Sequence, residues 1–208
     1  QTVNEVMGAE KATGIKTEQG LEQAVDLVAY GIGLDNYIEF LQGADIKTNQ
    51  GVVVNEYLES TVPGVYAAGD VAEFYDVVVG EHVQLGNWVN AQVHGRIGAQ
   101  NMMGAHQAYR MVSFYTTFAF GLSIAFVGDI RALPGREVIG RGSREAKSYG
   151  RIIVKADRIV GATLLNRTGE MAALSKLIEK QIDISVHKTE LADPTFDLKT
   201  LVAAPTLT

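Results

Sequence analysis

The run Ser60-Thr61-Val62-Pro63-Gly64-Val65-Tyr66-Ala67-Ala68-Gly69-Asp70-Val71 is where residue types and spacing point most clearly to chemistry. Its apolar segment, Val65 to Ala68, sits between a Pro-Gly turn and a glycine, the pattern of a short buried parallel strand. Ligands of open α/β sheets lie beyond the carboxyl ends of such strands, where backbone groups are left unpaired. Gly69 lets the chain approach a ligand with no side chain in the way. Asp70 then presents a carboxylate, a strong acceptor for hydroxyl donors on a sugar or sugar alcohol. By itself a Gly-Asp pair is more often a turn. No residue reads as a convincing acid, base or nucleophile, and with no cysteine the chain holds neither a disulfide nor a thiol redox centre. The four histidines, His82, His94, His106 and His187, lie far apart without metal-ligand spacing and read as ordinary surface or core residues.

Several elements must hold that run in place. Asn87 to Met103 is the best helix of this half: Ala91, Gly95, Gly98, Ala99 and Met102 recur at helical spacing as a face of small residues that another backbone can approach. Gly104 stands where a left-handed C-terminal cap belongs. Tyr37 to Leu41 suits a helical turn and Gly51 to Asn55 a strand. Ahead of them, Val3 to Val6, Gly14 to Thr17 and Ala24 to Ile32 read as strands, the last two joined as a hairpin through Glu18-Gln19-Gly20. Beyond Gly104, Phe114, Tyr115, Phe118, Phe120 and Phe126 gather in a strand-rich stretch, expected in a buried core rather than at an interface. Arg151 to Lys155 and Ile159 to Asn166 read as strands joined by Ala156-Asp157-Arg158. Thr168 to Lys180 reads as an amphipathic helix with Thr168 as its N-cap and Met171, Leu174, Leu177 and Ile178 as its stripe. Asp193-Pro194 closes regular structure, leaving a docked tail. This half is a small α+β domain, an antiparallel sheet with helices on one side.

The run at residues 60–71 resembles the second FAD-binding motif of two-dinucleotide-domain flavoproteins, a Thr, six residues, then Ala-x-Gly-Asp, with Ser60 in place of Thr. The following segment, Asn87-Trp88-Val89-Asn90-Ala91-Gln92-Val93-His94-Gly95-Arg96-Ile97-Gly98-Ala99-Gln100-Asn101-Met102-Met103-Gly104, resembles the next helix of rubredoxin, ferredoxin and nitrite reductase-type flavoproteins in the pyridine nucleotide-disulfide oxidoreductase family. The resemblance implies that Asp70 bonds the ribityl chain of FAD, that Gly69 and Val71 lie near the ribityl or phosphate region, and that Asn87 and Trp88 sit at the pyrimidine edge of the flavin. A helix N-terminus there stabilises negative charge on reduced flavin. Without the resemblance, Trp88 reads equally well as a core tryptophan. Asp26-Leu27-Val28-Ala29-Tyr30-Gly31-Ile32-Gly33 is similar to the strand leaving the family's NAD domain; Leu34-Asp35-Asn36 replaces the usual Pro-Asn. Tyr149 to Ile184 is similar to the C-terminal interface domain.

The resemblance thus implies a fragment of a two-dinucleotide-domain flavoprotein of α+β class. Residues 1–33 would be the tail of the NAD(P)-binding domain, 34–106 the C-terminal part of the FAD-binding domain, and 107–208 an interface or dimerisation domain. It implies FAD and NAD(P)H as cofactors of the full-length parent and an acceptor that is a protein or a small molecule, with a homodimer left open. No Gly-x-Gly-x-x-Gly follows a strand in this sequence, so the loops cradling the FAD pyrophosphate and NAD(P)H are missing and the fragment alone is expected to be inactive. No His-x4-Glu pair of the glutathione reductase type occurs in the tail, which favours protein-acceptor or oxygen-reducing relatives. Two rivals stand beside this reading: a non-catalytic dimerisation or partner-docking module, and part of a thiol-dependent NADH oxidase or CoA-disulfide reductase.

The composition agrees with a globular protein: 208 residues, 47% hydrophobic and 20% charged. A net charge of −6 with scattered basic residues disfavours nucleic acid. No apolar run approaches the roughly 20 residues that cross a bilayer. Gln1-Thr2-Val3-Asn4 shows no signal peptide, so a cytoplasmic location is the default expectation.

Overall fold

Short antiparallel strands open the chain. β1 (Val3–Met7) pairs with β2 (Gly14–Thr17), and β2 with β3 (Glu22–Ala24), giving a three-stranded sheet with an irregularity between Val3 and Glu5. A computed structural model describes residues 1–33 and 35–203, and the chain divides into two compact units, Gln1–Asp35 and Asn36–Thr208. The hairpin through the Glu18–Gly20 turn forms as its glycine predicts, with Gly20 N–H donating to the Thr17 carbonyl at 2.9 Å. Its second strand is three residues long and ends at Ala24, where the expected strand was to begin. Ala24 is the register partner of Gly14, the first residue of β2, so the ladder runs out there. Leu27, Tyr30 and Ile32 are consequently exposed and unpaired among the described residues, because an apolar run becomes a strand only beside a partner. Leu34 lies outside the described residues.

In the second unit a 3-10 turn at Glu39–Leu41 precedes β4 (Val52–Val54), which runs parallel to β5 (Ala72–Asp76), while β5 is antiparallel to β6 (Glu81–Val83). Val62 to Val65 makes the Pro-Gly turn, with Gly64 at φ +81° and Val65 N–H donating to the Val62 carbonyl at 3.1 Å. Val65 to Ala68 is not the buried parallel strand its composition suggests. Val65 and Ala68 are exposed, and the segment is held by an isolated antiparallel bridge from Tyr66 to Glu59 and by Ala67 N–H on the Leu58 carbonyl. Among the described residues the parallel pairing belongs to β4 and β5 instead.

α1 (Trp88–Met102) packs on this small sheet and ends as expected in a left-handed Gly104 at φ +90°. Its small-residue face is only partly covered, since Gly95, Ala99 and Met102 are exposed and Gly98 meets Leu58. The buried face is Asn90, His94, Ile97, Gly98 and Asn101, a stripe of mostly polar residues that the apolar periodicity concealed. Val52, Val54, Leu58, Phe74, Ile97 and Tyr109 form the local core.

The last hundred residues build a five-stranded antiparallel sheet in the order β7-β8-β11-β10-β9, from β7 (Phe114–Ala119), β8 (Leu122–Gly128), β9 (Glu137–Ser143), β10 (Ser148–Lys155) and β11 (Arg158–Leu165). Ala156 and Asp157, at φ +46° and +56°, turn β10 into β11. α2 (Met171–Glu179) lays Leu174, Leu177 and Ile178 onto that sheet. Thr168 does not cap it: a 3-10 turn, Thr168–Glu170, leads in, and the Glu170 carboxylate is drawn to Arg141 and Arg167. α3 (Lys188–Ala192) stops at Asp193, yet a further short helix, α4 (Lys199–Ala203), follows the proline, with Leu198 and Leu201 buried in the core. The tail is docked through these two leucines rather than being irregular throughout. The aromatics of β7 are exposed, Phe118 and the neighbouring Phe120 most of all, because β7 is an edge strand that pairs only with β8 among the described residues. No helix among the described residues is long and apolar enough to cross a membrane.

Candidate functional site

Asp70 belongs to a 3-10 turn, Gly69–Val71, inserted between the exposed Val65–Ala68 segment and β5. Gly69 has φ +79°, a left-handed conformation that costs a residue with a Cβ about 1 kcal/mol or more. A Cβ at Gly69 would meet the Ala91 Cβ in the first turn of α1 at 3.4 Å, an ordinary contact, so it is the backbone conformation that selects glycine. The backbone of the motif therefore lies directly against the helix. The Asp70 carboxylate approaches the residue before that helix's N-cap, its Oδ2 lying 3.2 Å from where a Cβ of Gly86 would stand. The Asp70 carbonyl accepts from Gln84 Nε2 at 2.8 Å, which ties the turn to the lead-in of α1. Among the described residues no side chain or amide donates to the half-buried Asp70 carboxylate, leaving its acceptor capacity open. Val71 turns inward and packs against the local core.

The start of α1 is built by Asn87. Its backbone is extended, its Oδ1 accepts from Asn90 N–H at 2.9 Å, and its Nδ2 donates to Ser113 Oγ at 2.7 Å. This is the N-cap arrangement, and it leaves the N–H groups of Trp88 and Val89 directed out of the helix end without a bond among the described residues. Trp88 is 75% exposed, so it is not a core tryptophan. With Asn87, Val89, Phe114, Tyr115 and Thr116 it lines a cavity of about 300 Å³. A neighbouring cleft of about 210 Å³ shares Asn87, Phe114 and Tyr115 and is lined further by Arg131. The structure thus brings Gly69, Asp70 and Asn87 to one place. Trp88 is on the same helix end with its ring in the open, and the Val71 side chain is turned away.

Beside the second cleft lies an ion-pair cluster that the sequence did not announce. Asp129 is buried and accepts from Arg131 Nε at 2.8 Å and from Arg136 Nη2 at 2.9 Å, while Glu81 pairs with Arg136 and Lys155. Burial pushes the Asp129 carboxyl up, but the two guanidiniums outweigh it and hold the group below its ordinary range. Asp76 shows the opposite balance. Burial raises its pKa despite hydrogen bonds from Val78 and Val79 N–H, since no cation among the described residues pairs with it directly.

Sequence reasoning missed the buried polar stripe of α1. Asn90, His94, Ile97 and Asn101 recur at the i, i+4, i+7, i+11 spacing of one helical face, a signal visible only when polar residues are counted with the apolar ones. Asn90 donates to the Leu85 carbonyl at 3.0 Å and accepts from the Tyr109 hydroxyl; Asn101 bonds the Tyr57 and Gln107 carbonyls and Gln107 N–H. Burial, with Asp76 nearby, raises the Tyr109 hydroxyl's pKa and keeps it a neutral donor.

Residues 1–95 match the pyridine nucleotide-disulphide oxidoreductase family, and residues 119–202 match the reductase C-terminal family. Each match takes in less than half of the chain, and together they cover most of it. It is 27% identical to the ferredoxin–NAD(+) reductase component of the p-cumate 2,3-dioxygenase system of Pseudomonas putida, over 89% of this chain and 44% of that protein. It is 25% identical to a nitrite reductase [NAD(P)H] of Bacillus subtilis, over 87% of this chain and 22% of that one. A ferredoxin reductase from Rhodopseudomonas palustris superposes with a TM-score of 0.79 at 26% identity, covering 97% of this chain and 49% of the other. The chain spans less than half the length of each of these three proteins.

Proposed function

We propose that this chain supplies the ribityl and flavin-ring side of the FAD site in a reductase that passes electrons from NAD(P)H through FAD to an acceptor. The observation that carries the reading is the packing of the Gly69–Asp70 turn against the first turn of α1, with an unengaged carboxylate beside a helix end whose N–H groups are open. FAD supplies the redox chemistry; the chain binds, orients and tunes it. Asp70 accepts from ribityl hydroxyls, Gly69 gives backbone clearance, and the Asn87-capped helix end places N–H donors and the positive end of its dipole where reduced flavin carries negative charge. Trp88 covers the open side of that helix end. In this reading residues 1–33 are the tail of the NAD(P)-binding domain, 34–106 the end of the FAD-binding domain and 107–208 the interface domain. A protein acceptor of ferredoxin type is favoured by the names of the relatives and by the match to the reductase C-terminal family over residues 119–202.

The test is flavin retention. In the full-length flavoprotein Asp70→Ala should weaken FAD binding by about 1.5–3 kcal/mol, the range for a hydrogen bond to a charged group, and Asp70→Asn by less, because the amide oxygen still accepts. Flavin content after gel filtration reads this directly. Full occupancy in the alanine variant would reduce Asp70 to a turn residue. The 208-residue chain alone, lacking a glycine-rich pyrophosphate loop, should quench FAD fluorescence weakly or not at all.

A further inference from the structure

His94 sits near the middle of α1 and is fully buried. Its ring stands edge-to-face with Phe74 at 4.6 Å and with Tyr109 at 4.3 Å between centroids, so its orientation is fixed by packing. The two ring nitrogens have different surroundings. Nδ1 lies 3.3 Å from the nitrogen of Gly69, whose N–H donates to it, whereas Nε2 has no hydrogen-bond partner among the described residues. A backbone amide can only donate, so Nδ1 must present its lone pair, and the proton of the neutral ring resides on Nε2. An imidazolium would set one N–H against another. Burial prevents this by pushing the histidine down to about 4.

The consequence concerns the turn rather than the helix. Gly69 begins the 3-10 turn in a left-handed conformation, and its amide points into α1, where an unpartnered N–H costs about 1–3 kcal/mol. Asp70 follows immediately, so the orientation of the Gly69 peptide helps to set the direction of its carboxylate. Resting on the flavin reading above, we propose that His94 is a positioning residue for FAD: as a neutral, Nε2-protonated acceptor of the Gly69 N–H, it fixes the turn from which Asp70 reaches the ribityl chain. It touches no ligand itself. Histidine is favoured at this position because it combines an acceptor aimed at the turn with a flat ring that fills the space between Phe74 and Tyr109.

The experiment compares wild type, His94→Phe, His94→Gln and Asp70→Ala in the full-length flavoprotein, with the imidazole nitrogens observed by 15N NMR near neutral pH. Phenylalanine keeps the aromatic packing and removes the acceptor. It should raise the FAD dissociation constant about tenfold, or about 1.4 kcal/mol, and speed hydrogen exchange at the Gly69 amide. Glutamine, whose carbonyl can accept the same N–H, should recover most of that loss. The wild-type spectrum should show a neutral ring protonated at Nε2 alone. A ring protonated at Nδ1 overturns the assignment by itself, even if the phenylalanine variant fails to fold. So does a folded phenylalanine variant with unchanged FAD affinity and unchanged Gly69 exchange. If the tautomer is as stated but Asp70→Ala retains FAD fully, the flavin reading falls, and with it the purpose assigned to His94, while the contact with Gly69 stands.

Discussion

α1 and α2 are both half-buried helices against a sheet, and they are held by different forces. α2 buries Ala173, Leu174, Leu177 and Ile178, a hydrophobic stripe that places it by area alone and tolerates sliding by a fraction of an ångström. α1 buries two asparagines and a histidine, each bonded to a named backbone or hydroxyl partner. Hydrogen bonds are directional and add little net stability, but a misplaced one leaves a buried group unsatisfied, so such a helix has a narrow set of allowed positions. The difference separates the task of holding a domain together from the task of aiming a helix end at a site.

The largest effect that would test this contrast is in α2. Leu174→Ala should destabilise the chain by about 2–5 kcal/mol, because the side chain is fully buried and its removal leaves a cavity. Urea unfolding measures it, and flavin affinity of the folded full-length protein should be unchanged. Asn101→Ala should cost less, about 1–3 kcal/mol, by leaving the Tyr57 and Gln107 carbonyls and the Gln107 amide without partners. Here the flavin should be affected as well, since the far end of α1 loosens. If Asn101→Ala lowers stability and leaves flavin binding untouched, the two helices do not differ in the way described.

The smallest effect is a dependence on pH. Asp129 has its pKa lowered by Arg131 and Arg136 against the opposing effect of burial, so its contribution is fully present above the ordinary value of 3.8 and is lost as pH falls through the lowered folded value. Asp76 is raised by burial. It therefore favours the folded state in acid and takes stability away as pH climbs from 3.8 through its raised value. Urea midpoints across the acid range should show Asp129→Asn flattening the acid-side loss and Asp76→Asn removing the opposing slope. Identical profiles for the two variants would mean that the ion pairs around Asp129 are not formed.

Much of the C-terminal sheet was legible in the sequence, because β10, β11 and α2 each carry their own apolar period and the turn residues fall between them. The helix start at Asn87 and the cap Gly104 were legible for the same reason: the signal is local. The failures occur where an element depends on a neighbour. Ala24 to Ile32 and Val65 to Ala68 have strand composition but no extended ladder beside them among the described residues. The aromatics of β7 have core composition but lie on an edge. In the candidate site, Gly69, Asp70 and Asn87 were found through a motif, whereas Gln84, Gly86 and His94 were not. Their parts in it arise only when the turn and the helix meet, and nothing in the spacing of one segment encodes that meeting.

Arg141 is almost fully buried in β9, with its guanidinium ringed by the Glu170 carboxylate and by the carbonyls of Leu191, Asp193 and Phe196. Three of its acceptors are thus main-chain oxygens from one stretch of tail, so the arginine reads the path of the backbone and is indifferent to the side chains that decorate it. Leu191 and Phe196 still pack on the core through their own side chains, but what the arginine requires of residues 191–196 is only that their peptide planes converge on that fork. A lysine at position 141 would keep the charge but offer only a single point of attachment, and several carbonyls would have to share it. One planar cation therefore acts as a template for the last bend of the chain, encoded some fifty residues before the segment it shapes.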